Sequence, residues 1–341
     1  MRIGLIAPPW IPVPPPAYGG IEAVVDTLAL ALARAGHEVL LAASGDSTCA
    51  VERVPGFPPS DFSTVGATLQ ELRHLLQAYP AMAGVDVIHD HTTAGPFLPH
   101  RGLATPLVAT AHGPFIPAML DVSRAMPPDV SIVAISHSQA ATADGVRIAR
   151  VIHHGIDAAR VPVGLGRGGY ACFLGRMHPN KGVREAIQIA RRAGVPLRIA
   201  AKMREPVEMD YFTTIIRPLL GADTEFLGEL NVSDKYEMLG GAIALLNPIQ
   251  WDEPFGMVMI ESLAAGTPVV ATPRGSAPEI IDDGWTGLLR TGEHELAEAI
   301  QRAPTLDRNL CRMAVEERFS AERMAAKHVE LYSTLLHPVR A

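Results

Sequence analysis

The sequence predicts an α/β protein with two doubly wound parallel-sheet (Rossmann-like) domains. Short apolar runs alternate with helical patterns, which is typical of a parallel sheet covered by helices on both faces. The alternation restarts after a glycine-rich stretch, and 341 residues suit two domains that each bury a core. We therefore expect an N-terminal domain over 1–157, a linker over 158–169, a C-terminal domain over 170–320 and a last helical segment over 321–341 that can pack back on the N-terminal domain.

The first half opens with the apolar run "RIGLIA" (2–7), which predicts a buried strand. A proline-rich loop (8–16) follows, and then apolar residues recur at helical spacing from Ile21 to Leu32. Further strand-then-loop units are predicted at 38–44, 85–91, 106–113 and 131–138.

The second half repeats this pattern with a strand and loop at 170–182, followed by a helix. The later strands are predicted at 196–201, 224–229, 242–248 and 268–273, and the last helices at 307–319 and 321–336. The stretch "GLGRGG" (164–169) matches a dinucleotide-binding pattern letter for letter. That pattern has meaning only after a strand, and here it precedes one, so we interpret it as a flexible connection.

Composition narrows the function classes. The net charge of −7 argues against a general nucleic-acid binder, which normally has a basic surface. Three widely separated cysteines and the lack of an apolar stretch long enough for a signal peptide or a membrane span predict a cytoplasmic protein. Peripheral contact with a membrane stays open.

Ligands of open parallel sheets bind at the carboxyl ends of the strands, so the loops after the strands are the candidate sites. In "GRMHPNKG" (175–182), Arg176 follows a strand and Lys181 lies near a helix start. Two cations beside free helix N–H groups are suited to a diphosphate. The structural alternative is a pair of solvated surface charges.

The segment "EPFGMVMIE" (253–261) has one acid, Glu253, at a helix entrance and a second, Glu261, inside the helix. Carboxylates accept hydrogen bonds from sugar hydroxyls, so we expect one acid to bind a hexose and the other a ribose. The structural alternative is that each acid pairs within its own domain.

The N-terminal half has further candidate residues at the start of its first predicted helix and at the ends of two predicted strands. Gly19 and Gly20 in "AYGGIE" allow backbone to approach a phosphate, or form a simple turn, and Glu22 is a first-turn acid favoured by the helix dipole. His112 ends a strand and can donate to a substrate hydroxyl, and His91 is placed similarly, although single histidines also serve structure. A metal site at His89, Asp90 and His91 is a weak alternative. Residues i and i+2 of a strand share a face, so His89 and His91 could act together, but the sequence indicates no third ligand for them. No metal is therefore expected.

The sequence resembles family 4 glycosyltransferases of the GT-B fold from residue 1 to about 330. The resemblance rests on "YGGIE", "AHGP", "AISHSQ", "GRMHPNKG", "EPFGMVMIESLAAGTPVVAT" and "GSAPEIIDDGWTGLL", and the sequence is close to a bacterial branch of the family. His154, Ser276 and Ala277 depart from the usual family pattern.

The resemblance implies a retaining hexosyltransferase that binds a nucleotide-diphosphate sugar on the C-terminal domain and an acceptor on the N-terminal one. A UDP-sugar is the favoured donor, and no cofactor or metal is needed. The implied roles are diphosphate binding by Arg176 and Lys181, hexose binding by Glu253, ribose binding by Glu261, phosphate contact by Gly19 and Gly20, packing of the base by Leu230, backbone contacts from Phe255, Gly256 and Met257, and contact of His112 with sugar and acceptor.

Fixed cations neutralise the leaving diphosphate without a metal, and no carboxylate stands out as a nucleophile, so front-face displacement is expected. Glu22 and His91 are weaker acceptor-side candidates. The acceptor is a small molecule, a glycan or a lipid. Three other interpretations remain: a nucleotide-sugar epimerase, a phosphorylase that would need pyridoxal phosphate, and a non-catalytic sugar-nucleotide-binding module.

Overall fold

The computed structural model describes residues 1–98 and 105–337 and divides into two compact units. Unit 1 contains Met1–Gly155 together with the C-terminal segment that starts at Ala321, and unit 2 contains Ile156–Ser320. Residues 338–341 of the expected last segment lie outside the described residues.

Unit 1 is built on a parallel sheet that has seven strands within the described residues. The strands are β1 (Arg2–Ile6), β2 (Glu38–Ala42), β3 (Glu52–Arg53), β4 (Val87–Asp90), β5 (Leu107–Ala111), β6 (Val130–Ala134) and β7 (Ile148–Val151), in the spatial order β3-β2-β1-β4-β5-β6-β7. The central strands are continuous apolar runs because helices cover both faces of a parallel sheet.

Among the described residues, four helices connect the strands of unit 1: α1 (Gly20–Arg34), α2 (Thr68–Ala81), α3 (Pro117–Arg124) and α4 (His137–Ala141). The predicted helical spacing after the proline-rich loop corresponds to α1, whose Val24, Leu28 and Leu32 are buried. The sheet and its helices therefore arise from the apolar periodicity visible in the sequence.

Unit 2 repeats the design with a parallel sheet of six strands in the described chain. The strands are β8 (Ala171–Arg176), β9 (Leu197–Lys202), β10 (Thr224–Gly228), β11 (Ala244–Asn247), β12 (Val269–Ala271) and β13 (Gly287–Leu289), in the order β10-β9-β8-β11-β12-β13. The helices are α5 (Val183–Ala193), α6 (Pro206–Tyr211), α7 (Val232–Gly241), α8 (Met257–Ala264), α9 (Ala277–Ile280), α10 (Glu293–Arg302) and α11 (Arg308–Arg318). The last helix, α12 (Ala321–Leu336), packs against α1 in unit 1. Two doubly wound parallel sheets confirm the predicted fold class.

The segment expected to be a flexible linker, 158–169, instead belongs to unit 2. The N–H groups of Gly164 and Gly166 donate to backbone carbonyls of unit 2 at 3.0 Å, and Arg308 donates to the Gly164 carbonyl at 2.9 Å. A β-carbon at Gly164 would lie 2.1 Å from the carbonyl oxygen of Gly240. The glycines are therefore needed for close backbone packing, which composition alone does not distinguish from flexibility.

Among the described residues, no helix combines the length and the apolar character that crossing a bilayer requires.

Candidate active site

The two predicted cations of unit 2 lie at the carboxyl end of the central strand β8. Arg176 is the last residue of β8, and Lys181 ends a 3-10 turn that precedes α5. Gly182, at φ 75°, follows Lys181, and a β-carbon there would lie 2.1 Å from the carbonyl oxygen of Pro248. This close contact holds the turn, and with it Lys181, against the carboxyl end of β11.

Lys181 forms a buried ion pair with Glu253, and the two side chains are only 16% and 13% exposed. Burial lowers the pKa of Lys181, Glu253 opposes that effect, and the charge of Arg176 adds to it. Trp251 donates its indole N–H to the same Glu253 oxygen at 2.9 Å. Because it holds an ammonium and an indole, Glu253 is fixed in one orientation beside the two cations.

The loop after β12 packs against the backbone of the Glu253 segment. Gly275, at φ 57°, lies so close that a β-carbon would approach the backbone N and O of Glu253 to 2.4 Å. Ser276 donates its N–H to the Glu253 carbonyl at 3.1 Å and its hydroxyl to the Phe255 carbonyl. Ser276, noted in the sequence as a departure from the family pattern, is therefore a buried positioning residue.

Glu261 also pairs within unit 2, with the Lys235 ammonium 2.6 Å from its carboxylate. Both side chains are less than one fifth exposed. The structural alternative considered for Glu253 and Glu261, pairing within their own domain, is thus the arrangement in this structure. A ligand that takes either carboxylate must compete with a lysine.

Helix α8 begins between the two acids. Gly256 precedes it at φ 79°, and a β-carbon would lie 2.7 Å from the methyl carbon of Met259. Phe255 is buried, and Met257 is the first helical residue. The N–H of Met259 donates to the Gly256 carbonyl at 3.0 Å. The first turn of α8 therefore begins at this glycine, and a helix start of this kind suits an anion or an oxygen-rich ligand. Leu230 lies in the loop between β10 and α7 and is half-buried.

In unit 1, His112 directly follows β5 and is held from both sides by one buried side chain. The amide nitrogen of Gln139 donates to the carbonyls of Ala111 and Gly113, each at 2.7 Å. Gln139 in turn accepts from the N–H of Ile135 at 2.8 Å. The "AISHSQ" motif therefore positions the backbone around His112.

His91 determines which nitrogen of His112 carries the proton. Nδ1 of His91 lies 2.9 Å from Nε2 of His112, while Nε2 of His91 is buried and has no hydrogen-bond partner in the described part of the chain. A buried N–H without an acceptor is rarer than a buried acceptor without a donor, so the proton of His91 lies on Nδ1. His91 is then the donor, and His112 carries its own proton on Nδ1, from which it can donate to a hydroxyl.

More histidines surround this pair. His154 stacks on His112 with ring centroids 5.2 Å apart, and His89 bonds to Tyr332 at 2.6 Å and to Thr110 at 2.7 Å. Burial lowers the pKa of His112 to about 3, with a further contribution from His328. These rings are therefore neutral at pH 7, so His112 is a hydrogen-bond donor rather than a cation.

The "YGGIE" segment differs from expectation in one respect. Gly19 packs tightly, since a β-carbon would lie 2.6 Å from Pro15, while the space around Gly20 is open. Glu22 lies in the first turn of α1, as predicted, but it is only 4% exposed and burial raises its pKa to about 7. Burial outweighs the favourable position at the helix start, so the pKa of Glu22 lies above the usual range of a carboxyl group.

Four residues of these sites were given no role from the sequence: Lys235, Trp251, Ser276 and Gln139. Two of them had a visible signal, because Lys235 follows the "GEL" segment and Gln139 ends "AISHSQ". Ser276 was visible only as a departure from the family pattern, and the importance of Ser276 and Trp251 arises from contacts with Glu253 and Phe255.

Two family models match the chain in series. The model described as Glycosyltransferase Family 4 matches residues 18–160, and the model described as Glycosyl transferases group 1 matches residues 161–318. The chain therefore belongs to family 4 of the glycosyltransferases, a family of transferase enzymes with the GT-B fold.

Relatives of known name are glycosyltransferases as well. A glycogen synthase of Mycobacterium tuberculosis is 35% identical over 40% of this chain, and the match spans only about a third (35%) of that relative's length. A phosphatidyl-myo-inositol mannosyltransferase of Mycolicibacterium smegmatis is 27% identical over 85% of this chain and 80% of its own. The solved structure of AviGT4, a glycosyltransferase involved in avilamycin A biosynthesis, is 27% identical with a TM-score of 0.78, covering 99% of this chain and 98% of that one.

Proposed function

We propose that this chain transfers a hexose from a nucleotide-diphosphate sugar, with a UDP-sugar as the favoured donor, to an acceptor hydroxyl with retention of anomeric configuration. The observation that carries the proposal is the cluster of Arg176, Lys181 and Glu253 at the carboxyl end of the unit 2 sheet. It combines two cations for a diphosphate with one fixed carboxylate for sugar hydroxyls.

When the donor binds to unit 2, its phosphates and hydroxyls replace the partners that the lysines and carboxylates have in this structure. The diphosphate takes the Lys181 ammonium from Glu253, and the released carboxylate accepts hydrogen bonds from hexose hydroxyls. Glu261 and Lys235 separate in the same way, which leaves Glu261 to accept from the ribose hydroxyls. The backbone of Phe255, Gly256 and Met257 contacts the donor, and Leu230 packs against the base.

In the transfer step, the bond from the anomeric carbon to the phosphate oxygen breaks, and a bond to the acceptor oxygen forms on the same face. The acceptor's proton passes to the leaving phosphate, so no residue is needed as a covalent nucleophile. Arg176, Lys181 and the N–H groups at the start of α8 stabilise the negative charge of the leaving diphosphate, so catalysis does not require a metal.

Unit 1 supplies the remaining contacts. Gly19 and Gly20 lie against the phosphates, and the Nδ1–H of His112 donates to a hydroxyl of the sugar or the acceptor. His91 acts as a positioning residue that sets the tautomer of His112, and Glu22 supports the first turn of α1 on the acceptor side.

A thermal-shift panel of uridine, guanosine, thymidine and adenosine diphosphates and their sugars tests the proposal. A ligand that binds only the native state raises the Tm by mass action, so a selective shift identifies the base. Hydrolysis of one sugar nucleotide, unchanged by EDTA and abolished in Arg176→Ala, is the expected result. Release of an epimerised sugar nucleotide without an acceptor would favour an epimerase, and no response to any nucleotide would refute the proposal.

A further inference from the structure

Unit 1 contains a cavity of about 300 Å³, and none of the candidate site residues described above lines it. It is formed by the start of the proline-rich loop after β1, the loop after β3 and the first half of α2. Its lining includes Trp10, Phe57, Asp61, Arg73 and His74. The loops follow the carboxyl ends of β1 and β3, which is where open parallel sheets bind ligands.

The cavity is built from anchored parts. Asp46 accepts from the N–H of Ser60 at 2.9 Å and from its hydroxyl at 2.7 Å, which ties down the loop after β3. The Phe57 ring lies against the His74 ring, with centroids 4.4 Å apart. At the start of α2, the Glu71 carboxylate accepts from the N–H of Thr93 at 2.9 Å. The walls are therefore held in place by contacts within unit 1.

Two buried nitrogens of the lining have no hydrogen-bond partner among the described residues: Nε1 of Trp10 and Nε2 of His74. The His74 side chain is only 5% exposed. Unpaired buried polar atoms are uncommon in native proteins, and each calls for an explanation such as a ligand or a water. Two such atoms in the lining of one cavity indicate that it binds something polar.

The two nitrogens have opposite hydrogen-bonding roles. The Trp10 indole can only donate. The other ring nitrogen of His74 bonds to the backbone of Ala7, whose own N–H is already used by Ala42, so the partner is the Ala7 carbonyl. That nitrogen carries the ring proton, and burial lowers the His74 pKa to about 4, so Nε2 is an acceptor at pH 7.

A hydroxyl group is the chemistry that fits this pair, because it accepts from one partner and donates to another. A carboxylate or phosphate would face the lone pair of His74, and an ammonium would face the indole N–H. A wholly apolar ligand would leave both nitrogens unpaired. The Trp10 and Phe57 side chains also provide apolar surface for the C–H face of a ring.

We propose that this cavity binds a neutral hydroxylated ring, a sugar or cyclitol, through Trp10 and His74. That the ring belongs to the acceptor rests on the proposed function, whereas the binding itself does not. A volume near the lower end for ligand pockets suits a single ring rather than a polymer. Arg73, which has no carboxylate partner among the described residues, lies at the same cavity and can donate to further hydroxyls.

The indole signals of the full-length protein, observed by ¹H–¹⁵N NMR, test this assignment. The chain has three tryptophans, so single Trp→Phe variants assign each signal. Methyl α-D-glucopyranoside and myo-inositol are added separately up to about 100 mM, with and without UDP, since single rings bind at about millimolar Kd. We expect the Trp10 signal to move and that of Trp285, which is 65% exposed in unit 2, to stay.

His74→Phe keeps the aromatic ring but removes the acceptor, and should weaken ring binding about tenfold. His294→Phe, an exposed substitution in unit 2, is the matched control. No movement of Trp10 with either ring in the wild-type protein would overturn the proposal, as would a response to inorganic phosphate alone. A Trp251 response to UDP without a Trp10 response to rings would retain the proposed transferase and reject this site.

Discussion

Glu253→Gln separates recognition of the sugar from recognition of the nucleotide. The amide preserves the size of the side chain and one acceptor oxygen for the Trp251 indole, but removes the charge that holds Lys181. If Glu253 binds the hexose, the variant should weaken UDP-glucose and spare UDP. UDP should bind equally well or more tightly, because Lys181 no longer has to leave a carboxylate.

The magnitude follows from the hydrogen bonds exchanged. A bond to a charged acceptor contributes about 1.5–3 kcal/mol and a neutral one about 0.5–1.5 kcal/mol. Two hexose hydroxyls on a carboxylate that is 13% exposed therefore lose about 2–3 kcal/mol together. UDP-glucose affinity should fall about 30- to 150-fold, while the Kd of UDP changes by less than about threefold.

Isothermal titration calorimetry with UDP and UDP-glucose measures both values. Glu261→Gln is the matched control, since it removes the partner of Lys235 in the same unit. That variant should weaken both ligands by the same factor, because both contain the ribose. Equal losses of UDP and UDP-glucose in Glu253→Gln would refute the assignment of this carboxylate to the hexose. Tm values of each variant, measured alone, show whether the fold is intact.

Three further predictions concern stability. Burial raises the pKa of Glu22 to about 7, so stability is lost as the pH rises from about 4.5 to 7. Glu22→Gln should therefore raise the free energy of unfolding in urea by about 3 kcal/mol at pH 8 and by almost nothing at pH 4. No gain at pH 8 would contradict this prediction. Burial lowers the pKa of His112 to about 3 and of His328 to about 4, so stability falls below pH 6.5. As the pH falls from 7 to 5, each of these two histidines should lower the unfolding free energy of unit 1 by about 2 kcal/mol. The loss is partly offset because burial raises the pKa of Asp90 to about 6. The urea midpoint is measured in the Glu22→Gln background, and an unchanged midpoint would refute this prediction. Gly182→Ala would put a β-carbon 2.1 Å from a carbonyl oxygen at a φ of 75° and should lower the Tm through a loss of about 2 kcal/mol or more; a wild-type Tm would argue against the close contact.

The fold class and most strands could be predicted from the sequence because their causes are local. Continuous apolar runs such as "RIGLIA" become β1, and helical spacing after the proline-rich loop becomes α1. The glycine-rich segment 158–169 could not be predicted in this way. Whether its glycines provide freedom or close packing depends on Gly240, which is distant in sequence.

The same division holds at the candidate sites. Arg176, Lys181, Glu253 and Glu261 could be selected from the sequence because they lie next to predicted strand ends and helix starts, where parallel sheets bind ligands. Their partners could not be selected. Lys235 and Glu261 are 26 residues apart in the sequence, and only the folded unit brings the ammonium and the carboxylate to 2.6 Å.

Protonation states were decided entirely by tertiary structure. Glu22 has the position of an ordinary first-turn acid, and its raised pKa arises from burial. His74 lies on α2, far in sequence from Trp10, and the sequence alone shows nothing in common between them. The sequence thus determined which elements form and which charged groups lie near their ends, because these depend on local periodicity and residue type. Only the tertiary structure decided which groups lose water and which find partners, because both depend on contacts between distant segments.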